Sequence, residues 1–146
     1  MQINADNRMM TERHFTVSPA KLWRALTDAA LLGEWLFPTD FQATVGHHFT
    51  FQAPPQPNWD GRATGKVLEV ISMQRLRFTW ASGDLQTVVT MDLTKTDKGT
   101  RLTVLQTGFR TDQGPNLAGA TAAWQRFLDN LARCLAAHNL DDRMTS

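Results

Sequence analysis

The sequence contains no tyrosine and only one cysteine, Cys134. A single cysteine cannot close an intrachain disulfide, so the fold must be held by packing, as suits a reducing compartment. No block of like charge is present: fifteen Lys and Arg offset fourteen Asp and Glu, for a net charge of +1. A nucleic-acid binder normally gathers a basic patch to neutralise phosphates, and this composition calls for none. Residues 1–13 lack the apolar run of a signal peptide, and no stretch approaches the length of a membrane span. A cytoplasmic protein with no nucleic-acid partner and no membrane span is therefore expected. Zinc-ligand spacings and glycine-rich phosphate loops are also missing, so neither a metal nor a cofactor is expected.

What is present is apolar and aromatic. Eight Phe and five Trp stand without any Tyr. A cavity lined by such residues is poor in hydroxyls, with indole N–H groups as its few donors. A chain of 146 residues suits one domain with a core of its own. We expect that domain over 10–138, with flexible termini at 1–9 and 139–146.

The hydrophobic pattern orders the elements. A strand is expected at 10–17. Ser18-Pro19 then offers an N-cap followed by a proline at the first helical position. Helices are expected at 20–27, with Leu22, Trp23 and Leu26 on one stripe, and at 29–36 behind a capping Asp28. Pro38 ends the second, because it disfavours helical geometry at Phe37. Strands are then expected at 41–45, 47–53, 61–71, 75–80, 85–94 and 100–109. The clearest is the fourth of these, where Leu76, Phe78 and Trp80 alternate with Arg75, Arg77 and Thr79. Pro54, Pro55 and Pro57 make a stiff loop with Trp59 at its end. Gly114-Pro115-Asn116 reads as the turn before a helix at 117–138. In that helix Leu117, Thr121, Trp124, Leu128, Leu131 and Leu135 form the apolar stripe. Segregated helices around a run of short-turn antiparallel strands define an α+β domain, with the long helix covering the sheet's apolar face.

Several segments, in order, resemble a known family. They are Glu12-Arg13-His14-Phe15, then Ser18-Pro19-Ala20-Lys21-Leu22-Trp23, then Leu32-Gly33-Glu34-Trp35-Leu36-Phe37-Pro38. Val45-Gly46-His47-His48-Phe49-Thr50-Phe51, Gly65-Lys66-Val67-Leu68-Glu69-Val70 and Arg75-Leu76-Arg77-Phe78-Thr79-Trp80 follow. Gly99-Thr100-Arg101-Leu102-Thr103-Val104, Gly108-Phe109 and the helix from Trp124 to Leu131 complete the set. Across residues 12–136 the chain resembles the activator of heat-shock protein 90 ATPase homologue branch of the START/Bet v 1-like (SRPBCC) superfamily. The resemblance implies a helix-grip fold: a curved seven-stranded antiparallel sheet wrapped around the long C-terminal helix, with two short helices after the first strand. It also implies a space between sheet and helix, where members of the superfamily often hold lipids, polyketides or hormones. The family has no universal catalytic motif, so no catalytic residue is carried over.

The candidate ligand-binding residues are those able to converge in that space: Trp35, Phe37, Phe51, Trp59, Val67, Phe78, Trp80, Met91, Trp124 and Leu128, with Gln106 as a polar anchor. The alternative is that the aromatic residues simply fill a core, and that Gln106 sits near solvent at a strand end. Thr87 and Glu69 are weaker polar candidates. His47 and His48 point to opposite faces of a strand and cannot easily share a ligand. His14 reads as a lone strand histidine. His138 suits the negative end of the last helix. Cys134 reads as a small buried side chain, with neither base nor depressed pKa to make it a nucleophile. The reading this favours is a binding module for a small hydrophobic or amphipathic molecule, not an enzyme with its own catalytic residues. Two alternatives stand beside it. One is a stress-response or chaperone-associated module with a protein partner. The other is a cyclase- or hydrolase-like enzyme on a hydrophobic substrate, for which Glu69 and His14 are the acid/base entries. A homodimer is compatible with the sequence, which specifies no interface.

Overall fold

Two polar side chains start the first helices where the sequence places them. Ser18 Oγ accepts the Lys21 N–H at 3.2 Å, and Asp28 Oδ1 accepts the Leu31 N–H at 3.2 Å. In the computed structural model, which describes residues 8–55 and 60–138, strand β1 (Met9–Phe15) leads into α1 (Pro19–Thr27) and α2 (Ala29–Trp35). Strands β2 (His48–Gln52), β3 (Arg62–Ile71), β4 (Arg75–Ser82), β5 (Leu85–Thr96) and β6 (Gly99–Thr107) follow. A 3-10 turn, Thr111–Gln113, precedes α3 (Gly114–Ala137). Pro57 and Trp59 lie outside the described residues, as do 139–146 and residues 1–7 of the N-terminal segment 1–9 expected to be flexible; Met9 of that segment is instead buried in β1, paired with β6.

The strands form one antiparallel sheet in the order β1-β6-β5-β4-β3-β2. From β2 to β6 the chain runs back and forth between neighbours. The pairings Ser82↔Leu85 and Thr96↔Gly99 leave two-residue turns, one of them with Gly83 at φ +57°. β1 instead pairs with β6, so α1 and α2 carry the chain from one edge of the sheet to the other.

Among the described residues the sheet has six strands, not seven. Residues 41–45 do not form a strand because their backbone groups are taken locally. The Phe41 N–H donates to Thr39 Oγ1 at 3.2 Å, Thr44 N–H to the Gln42 carbonyl at 2.9 Å, and His47 N–H to the Thr44 carbonyl at 3.0 Å. The Phe41 ring is still buried, 5.0 Å from the Phe49 ring and 5.9 Å from that of Phe78. Apolar content suggested a strand where there is only an anchored loop.

The inner face of the sheet carries Val67, Leu76, Phe78, Val89, Met91, Leu102 and Val104, all buried. Opposite them lie Leu22 and Leu26 of α1 and Leu128, Leu131 and Leu135 of α3. Gly65 lets the Phe49 ring lie flat on β3. A Cβ there would stand 2.5 Å from that ring and 2.1 Å from the Thr79 carbonyl oxygen.

Helix α3 begins three positions before the expected start at 117, because Pro115 fits a first helical turn, where its missing N–H costs nothing. The helix divides into two parts. From Trp124 onward its inner residues are buried and its flank is tied to β1. There Arg13 Nη1 reaches Asp129 Oδ1 at 2.5 Å and Arg13 Nη2 reaches Gln125 Oε1 at 3.1 Å. Before Trp124 the helix is mostly exposed, with Leu117, Ala120 and Ala123 half-buried. Thr121, expected on the apolar stripe, is exposed, and its hydroxyl donates to the Leu117 carbonyl at 2.9 Å.

Candidate ligand-binding cleft

The space beside the first part of α3 is the site. Pro38 stops α2 and leaves Phe37 in the following loop, half-buried. Its ring meets Trp80 of β4 at 6.3 Å and Phe127 of α3 at 5.3 Å, both edge-on. Trp124 stands 6.3 Å from Trp80 and 5.4 Å from Phe127. These four rings wall an open cleft of about 1270 Å³, roomy beside the ~300–1,000 Å³ of most small-molecule sites. Gly119, Ala120 and Ala123 keep the helical side of the cleft low, and Ala53, Pro54 and Asp60 border it after β2.

The floor is polar and ordered. Gln106 is buried on β6, facing the helix from the same side as Leu102 and Val104. The Trp124 indole Nε1 donates to Gln106 Oε1 at 3.0 Å. Gln106 Nε2 donates to Thr87 Oγ1 at 2.9 Å, and Thr87 Oγ1 donates to the Trp80 carbonyl at 2.8 Å. Because an indole can only donate, it fixes which end of the amide faces it. The chain commits one of the two amide hydrogens in this way. Gln106 thus lies inside the fold, not near solvent at the strand end, and its partners are protein groups.

The rim is charged. Arg110 Nη1 and Gln113 Nε2 both donate to the Asp84 carbonyl, at 3.1 and 3.2 Å, pinning the β4–β5 turn to the segment before α3. Gln113 Oε1 accepts the Arg110 N–H at 2.8 Å. Arg110 Nε also contacts Asp112 Oδ1 at 3.1 Å, and this hydrogen bond holds the Asp112 carboxyl below the ordinary carboxylate range. Arg126 of α3 also lines the cleft.

Of the residues singled out from the sequence, Phe37, Trp80, Gln106 and Trp124 line the cleft. Phe51 backs it, with its ring 5.0 Å from that of Trp80. Val67, Phe78, Met91 and Leu128 are buried within the core between sheet and helices. Trp35 joins the two short helices, its indole donating to the Ala25 carbonyl at 2.9 Å. Trp59 lies outside the described residues. The acid/base entries fall elsewhere. Glu69 is half-buried, 3.8 Å from the Arg75 guanidinium, and His14 is exposed, 2.7 Å from Thr96 Oγ1. His47 Nε2 sits 3.0 Å from the Asp40 carbonyl and His48 is exposed. Cys134 is buried, and that burial, then the nearby Glu34 carboxylate, push its thiol above its ordinary value. Phe127, Arg110 and Gln113 were not singled out. Phe127 was legible in principle, since three residues after Trp124 is the same side of a helix. Nothing local marks Gln113.

The geometry is that of a sheet and a long helix enclosing a partly open apolar space. Residues 16–136 match the family described as activator of Hsp90 ATPase homolog 1-like protein. The chain belongs to that family. Its fold is shared by the crystal structure of the Mesorhizobium loti protein MLL2253, at 38% identity and a TM-score of 0.84 over 89% of this chain and 97% of that one. It is also shared by DynU16, a protein in the dynemicin biosynthetic locus, at 24% identity and a TM-score of 0.78 over 90% of this chain and 48% of that one. The Nitrosomonas europaea protein NE0264 gives 21% identity and a TM-score of 0.75 over 94% and 99%. The last two likenesses speak to the fold alone. No curated protein matches the chain. The family supports a ligand-binding fold in general terms, an antiparallel sheet closed by a long C-terminal helix. Among the described residues, no helix is long and apolar enough to cross a membrane.

Proposed function

We propose that the protein is a binding module for a small amphipathic molecule whose apolar body lies in the cleft between the β4–β5 end of the sheet and the first part of α3. The observation that carries this reading is the pairing of an aromatic wall with a polar floor. Phe37, Trp80, Trp124 and Phe127 offer faces and edges to an apolar body, and Gln106, which lines the cleft, keeps one amide hydrogen that Thr87 does not use. The charged rim of Arg110, Asp112 and Arg126 suits a polar end left at the mouth. The acid/base candidates Glu69 and His14 do not line the cleft, which favours binding over a reaction run by those two groups.

The test uses an amphipathic fluorophore, 1-anilinonaphthalene-8-sulfonate, titrated into the protein. Saturable binding with quenching of tryptophan emission is expected. Phe127→Arg fills the cleft from a half-buried position and should weaken binding about tenfold, roughly 1.4 kcal/mol, while exposed Arg133→Ala leaves it unchanged. Equal affinities for all three proteins would place the probe elsewhere and remove the reading. Native mass spectra of freshly purified protein, compared with denaturing ones, then ask whether a discrete small molecule is already carried.

A further inference from the structure

At the far end of α3 from the cleft, three unlike metal-ligating side chains meet. Cys134 and His138 are four residues apart, so they project from one side of the last helical turn. Glu34 of α2 comes up against them, with its Oε1 2.6 Å from His138 Nε2. One donor atom from each residue, sulfur, nitrogen and oxygen, lies within 4.8 Å of the other two. None of the three lines the cleft.

We propose that Glu34, Cys134 and His138 form a site for a zinc-class divalent ion. The donor set decides the class. Thiolate with imidazole and one carboxylate suits Zn²⁺, whereas Mg²⁺ and Ca²⁺ take oxygen alone. Ligation needs a rearrangement of about an ångström, since the donor atoms span up to 4.8 Å and must draw together around the ion. Bonds of about 2.0–2.3 Å in a tetrahedron put donor atoms about 3.3–3.5 Å apart. Glu34 and His138, now in direct contact at 2.6 Å, therefore part by about 0.7 Å as the ion enters. Both side chains are exposed, which suits that movement. The buried Cys134 supplies the fixed inner ligand from the core side and releases its thiol proton to solvent on ligation. The setting also favours a cation. The last turn of α3 carries no Lys or Arg, so no permanent positive charge in that turn offsets the negative end of a 24-residue helix. Three protein ligands leave the fourth tetrahedral position to water or to an outside group.

Cobalt(II) is the probe, added to metal-free, tag-free protein. One equivalent should bind and give a near-ultraviolet sulfur-to-cobalt charge-transfer band together with the strong visible bands of a tetrahedral ion. The band should vanish in Cys134→Ser. Glu34→Gln and His138→Ala keep the buried sulfur and change only exposed groups, so they remain informative if the cysteine variant folds poorly. Each should weaken cobalt binding at least about tenfold, no less than the loss of an outer-shell partner costs. Zinc should displace the cobalt and raise the melting temperature of the wild type more than that of Glu34→Gln. A wild-type spectrum without the charge-transfer band, or equal affinities in the wild type and both surface variants, would overturn the site and leave Glu34–His138 as a helix-end ion pair beside a core cysteine.

Discussion

Gln106 joins the two sides of the molecule through a single amide. Its oxygen takes the Trp124 indole and its nitrogen reaches Thr87, so the helix and two strands meet at one buried polar group. Removing a partner from a buried acceptor costs the acceptor's desolvation, about 1–3 kcal/mol. Trp124→Phe keeps most of the ring and deletes the donor, so it should destabilise the protein by about that much in urea unfolding. In the double variant Trp124→Phe/Gln106→Leu, which removes both partners, the loss should be smaller than the sum of the single losses. Strictly additive losses would mean that the indole and the amide do not depend on each other. At this scale the sequence was partly legible. Alternation put Gln106 on the same face as Leu102 and Val104, but no local pattern names the indole that satisfies it from α3. Gly65 shows the same limit. Its need for a bare Cα comes from the Phe49 ring on the neighbouring strand.

Helix α3 behaves as two elements joined end to end. The second part buries Leu128, Leu131, Cys134 and Leu135 and is tied to β1 through Arg13 and to α2 through Glu34. The first part is mostly exposed and borders the cleft. Local opening follows the density of buried contacts. Amide hydrogen exchange should therefore be markedly faster at residues 118–123 than at 128–135, although both lie in one unbroken helix. Uniform protection along the helix would contradict the division. The stripe from Leu117 to Leu135 predicted the helix and its inner side. It did not show that Thr121 would stand in water, because periodicity fixes which side faces inward and not how far the sheet extends beneath it. The misread strand at 41–45 has a related cause. Phe41 is apolar for packing, while Thr39 and the adjoining turns take its neighbourhood's hydrogen bonds.

On the scale of the whole molecule, the cleft is where sheet and helix fail to close on each other. A ligand seated there touches both the β4–β5 end and the first part of α3. It should stabilise the fold by mass action, about 2.7 kcal/mol at a concentration 100 times its Kd, and slow exchange at 118–123 more than at 128–135. A ligand that raises the melting temperature without that local slowing binds some other surface. The fold class and the long covering helix were legible because alternation and helical period survive in any single stretch of chain. Which aromatic residues line the space was legible only in part. Phe37 and Trp80 reach the opening, while Phe78, two residues from Trp80 on the same face, is buried among Phe41, Phe49 and Phe51.

The sheet order sets a further constraint, on assembly. Met9 pairs with Gln106, so the first strand has no partner until nearly the whole sheet has been synthesised. The hairpins from β2 to β6 can zip from neighbour to neighbour as they leave the ribosome, but β1 closes a far longer loop and must wait. The last strand to be made is thus the one that captures the first, and the same strand carries the amide that receives Trp124 of the helix behind it. Folding of this domain is expected to commit when β6 emerges and to complete when α3 follows.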